Sequence, residues 1–257
     1  MTATSEVVGY LDTLLEVASV PDYPGAVNGL QFDNKGKVSK IAASVDFSTR
    51  SISRAIDEKA NLLIVHHGMF WGGVKPVTGN AYTRLRMLID NDIAVYASHL
   101  PLDRHATFGN NVLLSRKLGL VTSGEFAHYK GTAIGVTGEA SLATADIVTK
   151  AREFARHHGG EVVTTSFPQD RQTNRWAICT GAGASAETLL EVTEAGIDTL
   201  IVGEGPHWTA VEAEELGIVI IYAGHYATET LGVAALTSHV AEKYDIEWTM
   251  IHAPTGL

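Results

Sequence analysis

Cysteine is almost absent from this sequence: Cys179 is the only one among 257 residues. A single thiol excludes a disulfide within the chain. Such sparing use of cysteine is typical of proteins from reducing compartments, so we expect a cytoplasmic protein. Cys179 lies in an apolar stretch, which predicts an inert thiol rather than a catalytic nucleophile.

Positive charge is also scarce. The chain has 19 Lys and Arg residues against 29 Asp and Glu residues, which gives a formal net charge of −10 at pH 7. Nucleic acids and anionic membrane surfaces attract basic patches. The charge balance therefore disfavours nucleic acids and membranes as partners. It leaves room for a local basic pocket that binds a phosphorylated metabolite.

Long hydrophobic runs are missing as well. No stretch approaches the roughly 18 consecutive apolar residues of a membrane span. The first six residues, MTATSE, carry neither a basic n-region nor an apolar h-region, so we expect no signal peptide. A hydrophobic content of 45% is ordinary for a soluble globular protein. The length suits one large domain or two smaller ones.

What the sequence does contain is a regular alternation of amphipathic helices with short, β-branched strands. This order predicts an α/β fold with mainly parallel strands. A polar stretch at Thr122–Gly124 suggests a division into two units, 1–123 and 124–257, although residues 225–257 could also pack with the first unit. The predicted strands include Ser39–Asp46, Leu62–His67, Ile93–His99, Thr132–Thr137, Glu161–Ser166, Arg175–Thr180, Thr199–Val202, Ile218–Ala223 and Glu247–His252.

An internal repeat links the two halves of the chain. Ile41–Ser44 matches Ile178–Gly181 at an offset of 137 residues, and Ile64–Val65 matches Ile201–Val202 at the same offset. The match resumes later, where the sequences YASH and YAGH both end in a histidine. Strand–helix–strand units also resemble one another for purely physical reasons, so a duplication is one of two explanations. A duplication predicts two related three-layer α/β units with a functional site in the cleft between them.

Three of the predicted strands end in histidine. LLIVHHG delivers His66 and His67 into a glycine turn, IAVYASH ends at His99, and VIIYAGH ends at His225. An acidic residue follows four positions after two of them, Asp103 after His99 and Glu229 after His225. Neutral imidazole and carboxylate oxygen are common ligands of Zn, Fe, Mn and Ni. Five such ligands exceed what one catalytic ion takes from protein, so the pattern favours two divalent ions.

Each of these histidines also has an ordinary structural interpretation, because a histidine at a strand end is more often structural than metal-binding. His157 and His158, which precede two glycines at a polar helix end, illustrate that case. His66 and His67 differ because they follow four apolar strand residues. Pro101 disfavours a helix after His99, which predicts that Asp103 extends from a loop and that His99 lies beside the ions without binding them.

Weaker candidates follow the strand Thr199–Val202, which the repeat aligns with the strand Leu62–His67. Glu204 falls at the position of His67, and either Glu204 or His99 could move protons during catalysis. Glu204 and His207 could equally mark the start of a helix near Pro206. The glycine-rich stretch Thr180–Ser185 could hold a phosphate, although a tight turn is the more ordinary interpretation. Trp71 and Trp208 could stack on a base or pack in an interface.

The stretches IVHHGMFWGG, YASHLPLDRHATFGNN and GHYATE, together with NGLQFD and VGEGPH, resemble the Nif-three-like family. The resemblance covers nearly the whole chain. Members of that family are α/β proteins that form a toroid of six chains, and they are described as dinuclear metal centre or GTP cyclohydrolase type 2-like proteins. The resemblance implies metal ligands at His66, His67, Asp103, His225 and Glu229. It implies that Glu229 bridges the ions, with His66 and Asp103 on one and His67 and His225 on the other.

Two functions follow from this resemblance and the ligand pattern. The first is a dinuclear metal-dependent hydrolase that acts on a small molecule, with GTP or a related nucleotide as the substrate that the family description implies. The second is a non-catalytic metal-binding or regulatory scaffold. Open coordination positions beside a pocket favour the enzyme, whereas ions saturated by protein ligands favour the scaffold.

Overall fold

The β-branched runs form strands in the computed structural model, which describes residues 2–257. The chain divides into two compact units: the segment up to Leu102 with Gly232–Ala253, and Asp103–Leu231 with Pro254–Leu257. The boundary thus lies before the Thr122–Gly124 stretch suggested by the sequence. Residues 110–118 form a helix whose Leu114 and Leu118 side chains belong to the core of the second unit, which accounts for the earlier boundary.

The first unit contains a five-stranded sheet in the order β13-β4-β5-β6-β2. Four of these strands are parallel, and only β2 runs antiparallel to its neighbour β6. Every residue of β5 is buried, as expected for a parallel strand covered on both faces. The elements are β1 Thr2–Ala3, α1 Thr4–Leu14, β2 Gly29–Phe32, β3 Lys37–Val38, β4 Lys40–Asp46, α2 Thr49–Asp57, β5 Leu62–His67, α3 Asn80–Asp90, β6 Ala94–Ala97, α4 Leu100–Asp103 (at the boundary), α10 Thr230–Tyr244 (which crosses it) and β13 Glu247–Met250.

The second unit contains a six-stranded sheet in the order β7-β8-β10-β11-β12-β9, in which β10, β11 and β12 are parallel. Its side chains alternate between two cores. One face packs Trp176 and Ile201 against α5 and α6, and the other packs Ala177 and Leu200 against α7 and α8. The elements are α5 Asn110–Leu118, β7 Gly124–Tyr129, β8 Thr132–Ala143, α6 Thr144–His157, β9 Val163–Thr164, β10 Gln172–Cys179, α7 Ala186–Glu194, β11 Thr199–Val202, α8 His207–Leu216, β12 Val219–Tyr222 and α9 His225–Thr228.

The α/β fold is therefore confirmed, with a helix–sheet–helix arrangement evident in the second unit. Among residues 2–257, no helix is both long enough and apolar enough to cross a membrane. Some predicted bounds were wrong. The strand expected over Glu161–Ser166 spans only Val163–Thr164, and the strand expected over Thr132–Thr137 continues to Ala143.

The internal repeat is visible in the elements themselves. Helix α7 begins and ends 137 residues after α2, and β11 begins 137 residues after β5. The alignment of the preceding strand was wrong by two residues. Ile41 pairs with Leu62, but Trp176 rather than Ile178 pairs with Thr199. The connection from Trp176 to the start of α7 is correspondingly two residues longer than the connection from Ile41 to the start of α2.

Both repeated helices begin with the same capping arrangement. The Ser48 hydroxyl accepts a hydrogen bond from the Ser51 amide, and the Ser185 hydroxyl accepts one from the Thr188 amide. The side chain at the third helical position returns a bond to the backbone of the capping serine in each case. Each of these reciprocal arrangements, known as a capping box, satisfies two amides that a helix N-terminus would otherwise leave without an acceptor.

Replacing either capping serine should destabilise the fold. We expect Ser48→Ala and Ser185→Ala each to lower the free energy of unfolding by about 1 kcal/mol, because the capped amide loses its acceptor. Urea denaturation measures the change. Ser53→Ala, at an exposed position inside α2, is the control and should cause no loss, since alanine favours helices more than serine. Wild-type stability in both capping variants would contradict the assigned caps.

Candidate metal centre

The first histidine group lies at the carboxyl end of the first unit's parallel strands. Strands β4, β5 and β6 run side by side, and Asp46 at the end of β4 pairs in register with His67 at the end of β5. Strand β6 ends at Ala97, and His99 follows two residues later. Since parallel strands end at a common edge of the sheet, the topology places three histidines of this group there.

His66 and His67 are buried, and each ring is held by an oxygen acceptor. Nδ1 of His66 donates to the backbone carbonyl of Ser98 at 2.9 Å, and Nδ1 of His67 donates to Oδ1 of Asp46 at 2.9 Å. A carbonyl or carboxylate oxygen can only accept, so the hydrogen of a neutral ring is on Nδ1 and the lone pair is on Nε2. The ring centroids are 4.8 Å apart.

His99 joins this pair. Its ring centroid lies 4.9 Å from that of His66, and one ligand-type atom from each of His66, His67 and His99 falls within 4.8 Å of the others. Nδ1 of His99 bonds Oδ1 of Asp22 at 2.8 Å. Burial acts to raise the pKa of Asp22, but the hydrogen bond and charge of His99, with further bonds from Asn28 and the Tyr23 amide, lower it. Asp22 is thus an ionised partner that orients His99.

In the second unit, the ligand-type side chains His225 and Glu229 lie close together. Nδ1 of His225 bonds Oε1 of Glu204 at 2.8 Å, and Nε2 of His225 lies 3.2 Å from Oε2 of the buried Glu229. Burial lowers the pKa of His225, but bonds and charges from Glu229 and then Glu204 raise it to about 9. Glu204 therefore contacts His225, one of the residues predicted to bind metal. His207, the other candidate in this stretch, is exposed at the start of α8.

Gly181 lies directly beside this group. A Cβ on Gly181 would lie 2.2 Å from Oε1 of Glu229 and 3.3 Å from Nε2 of His225, and the residue has φ +65°. A side chain would therefore collide with the Glu229 carboxylate and crowd the His225 ring. The glycine keeps open a space bordered by carboxylate and imidazole.

Asp103 is buried in the second unit, and its Oδ1 accepts a bond from Nδ2 of Asn110 at 2.8 Å. The prediction that Asp103 lies in a loop was wrong, because residues 100–103 form the short helix α4. Pro101 does not prevent this helix, since it occupies the first turn, where no backbone amide needs an intrahelical acceptor.

Other candidates have ordinary structural roles. In the Thr180–Ser185 stretch, the amides of Thr180, Gly181 and Ala184 already donate to Asn111, Thr228 and Glu204, so the stretch forms a tight turn rather than a phosphate cradle. Burial and the charges of Asp103, Glu229 and Glu191 raise the pKa of Cys179 to about 12, consistent with an inert thiol. Nδ1 of His158 bonds the carbonyl of Phe154 at the end of α6.

The donor set fits divalent ions of the Zn, Fe, Mn and Ni class. Four imidazoles have Nδ1 bonded to an oxygen acceptor, which is the arrangement that turns Nε2 into a metal ligand. Carboxylates of the predicted ligand set lie buried beside polar partners. These imidazole nitrogens and carboxylate oxygens suit hard or borderline metal ions rather than soft ions that prefer thiolate ligands.

Sequence reasoning missed Asp22 and Asp46, which orient two of the imidazoles. Asp22 contacts the NGLQFD stretch. Asn28 in that stretch donates from Nδ2 to Asp22 and accepts the backbone amide of His99 through Oδ1. Gln31 likewise accepts the amide of Met69, just beyond the histidine pair. The stretch therefore fixes the loops around the histidines.

The chain is similar to known proteins over its whole length. Residues 2–255 match the family described as Duf34/NIF3 (NGG1p interacting factor 3). A "GTP cyclohydrolase 1 type 2 homolog" of Deinococcus radiodurans is 36% identical over 98% of this chain and 94% of its own length. A protein of the same name from Pyrococcus abyssi is 39% identical over 98% of both chains. A solved structure titled "Structural genomics, protein ybgI, unknown function" superposes with a TM-score of 0.88 at 32% identity, covering 100% of both chains.

Adding a methyl group at Gly181 should impair metal binding. We expect Gly181→Ala to bind metal at least about tenfold more weakly, because the methyl displaces Glu229 and His225. Isothermal titration of chelator-treated protein with Zn²⁺ or Mn²⁺ measures the affinity. Gly217→Ala is the matched control, since Gly217 has φ +68° and nothing within 4 Å of its added Cβ. It should suffer similar backbone strain but bind metal normally; equal metal affinity in both variants would contradict the role of Gly181.

Proposed function

This chain belongs to the Duf34/NIF3 (NGG1p interacting factor 3) family, and on that premise we propose that it is a dinuclear metal-dependent hydrolase acting on a purine nucleotide. The observation that carries the proposal is the set of four imidazoles whose Nδ1 atoms are bonded to oxygen acceptors. The nucleotide is proposed from the printed names of the relatives, "GTP cyclohydrolase 1 type 2 homolog".

The proposed ligands are those implied by the resemblance. If bound as the resemblance implies, one ion would be held by His66 and Asp103 and the other by His67 and His225, and Glu229 would be shared between them. Ser98, Asp46 and Glu204 orient the three imidazoles of this set through their Nδ1 atoms. For Glu204 this bond supports a positioning role, in addition to the proton transfer considered from the sequence. Two bound ions would lower the pKa of a water molecule and polarise the substrate.

His99 is the proposed proton-transfer group. Asp22 accepts from its Nδ1, so the lone pair of the neutral ring is on Nε2, which can take a proton from water and return it to a leaving group. The negative charge of Asp22 favours the protonated imidazole that forms in the first of these transfers. Because His99 is not one of the proposed ligands, its loss should separate catalysis from metal binding.

Removal of the proposed bridge should lower the metal content and abolish hydrolysis. We expect wild-type protein purified without chelator to hold two ions per chain, and Glu229→Ala to lose at least one, as measured by elemental analysis. GTP hydrolysis, followed by loss of purine absorbance and by formate release, should fall with it. Glu191→Ala is the control, since it removes a carboxylate that pairs with the exposed His128 outside the proposed metal centre. Full metal content in Glu229→Ala would contradict the bridge, and a metal-loaded wild type without activity would favour the scaffold function.

Loss of His99 should affect rate more than metal content. We expect His99→Ala to retain two ions at saturating metal while its hydrolytic rate falls by about 10- to 100-fold, the usual effect of losing a group beside a metal ligand. Metal analysis and turnover on the same sample separate the two effects. His128→Ala removes an exposed imidazole with a similar carboxylate partner and should leave both unchanged. An undiminished rate in His99→Ala would exclude His99 from catalysis.

We also propose, from the resemblance alone, that the chain assembles as a homohexamer. The native mass from light scattering, compared with the chain mass of 27.5 kDa, tests the assembly.

A further inference from the structure

Two aromatic side chains remain exposed beside the first histidine group. Trp71 is 41% exposed and Tyr23 is 48% exposed, although both are large and largely apolar. Their ring centroids are 6.3 Å apart with an interplanar angle of 81°, an edge-to-face arrangement. We call this pair the aromatic platform. Exposed apolar surface of this kind is costly to keep in water and often marks a binding site.

The platform adjoins the proposed proton-transfer group, His99, and one proposed metal ligand, His67. The Trp71 ring centroid lies 4.4 Å from that of His99 and 4.8 Å from that of His67, and the Tyr23 centroid lies 6.0 Å from that of His99. The indole is thus supported by two imidazoles and by the Tyr23 ring while part of its surface faces solvent. A flat ligand that covers this surface would lie beside the imidazoles.

Backbone contacts hold the platform in place before any ligand arrives. A Cβ on Gly25 would lie 2.9 Å from the Trp71 carbonyl oxygen and 3.0 Å from that of Phe70, so only glycine allows the Tyr23 segment to approach this closely. The amide of Met69 donates to Gln31, and the amide of Gly73 donates to Phe70. A platform fixed in this way loses little conformational freedom when a ligand binds, which favours affinity.

We propose that the aromatic platform of Tyr23 and Trp71 is the base-binding subsite of the substrate, where a planar heteroaromatic ring stacks on the indole beside His99. This proposal rests on the proposed function for its choice of purine ligands, and its own evidence is the exposure and placement of the two rings. An aromatic face suits a planar ring because both the stacking energy and the buried apolar area are then largest. It discriminates poorly between bases, since every base has a π-face.

Equilibrium binding of GTP to metal-loaded protein tests the subsite without requiring turnover. We expect Trp71→Leu to raise the Kd for GTP by about 5- to 150-fold, the range that stacking on one base accounts for. Trp71→Phe should keep the affinity within a few-fold of wild type while removing the quenching of tryptophan fluorescence by GTP. Trp208→Leu, which alters a tryptophan of similar exposure, 46%, in the other unit, is the matched control and should bind like wild type.

Two further measurements distinguish stacking from a general disturbance. Ribose 5-phosphate has no planar ring, so its affinity should be the same in Trp71→Leu and wild type. Gly25→Ala, which displaces the platform without changing either ring, should weaken GTP binding. Native mass should be unaltered in Trp71→Leu; dissociation of an oligomer in that variant would assign Trp71 to an interface and overturn the subsite.

The outcomes separate this subsite from the proposed hydrolysis. Trp71-dependent binding of GTP without any turnover would retain the subsite and refute the enzymatic function. Unchanged GTP affinity or unchanged KM in Trp71→Leu would overturn the subsite while leaving hydrolysis intact. Failure of the wild-type protein to bind GTP, ATP or their monophosphates would also overturn it.

Discussion

A hydrogen bond from imidazole Nδ1 to an oxygen acceptor is the constraint on which the candidate centre depends. A buried imidazole has two polar nitrogens, and leaving either without a partner costs free energy. The acceptor satisfies one nitrogen, selects the tautomer and fixes the plane of the ring. Each of the four rings obtains this bond from a different segment of the chain: Ser98 after β6, Asp46 at the end of β4, Asp22 in the loop before β2, and Glu204 after β11.

The parallel sheets explain why the acceptors and imidazoles meet. In the first unit Asp46 ends one strand and His67 ends the neighbouring parallel strand. In the second unit Glu204 follows one strand and His225 follows its parallel neighbour. The two units thus use the same relation between adjacent strands, although the histidine occupies different strands of the repeat. An antiparallel pair could not do this, since its neighbouring strands end at opposite edges.

The sequence predicted those features of the fold and site that depend on local pattern. The strand ends at His67 and near His225 follow from apolar runs in the sequence. The sequence could not predict Asp22, because its loop has no periodicity and its bond to His99 spans 77 residues. The strand alignment in the repeat failed by two residues for a similar reason. A longer loop changes register without changing the hydrophobic pattern of the strand.

The distribution of polarity around the first histidine group also argues for function. Folding favours burial of apolar rings and exposure of ionisable ones, yet here three imidazoles are buried while Trp71 and Tyr23 are partly exposed. The buried rings are stabilised by oxygen acceptors, so their burial is tolerated, whereas keeping apolar ring surface in water does not stabilise a fold. Two departures from the ordinary pattern at one edge of one sheet are better explained by a ligand that contacts both than by stability of the fold.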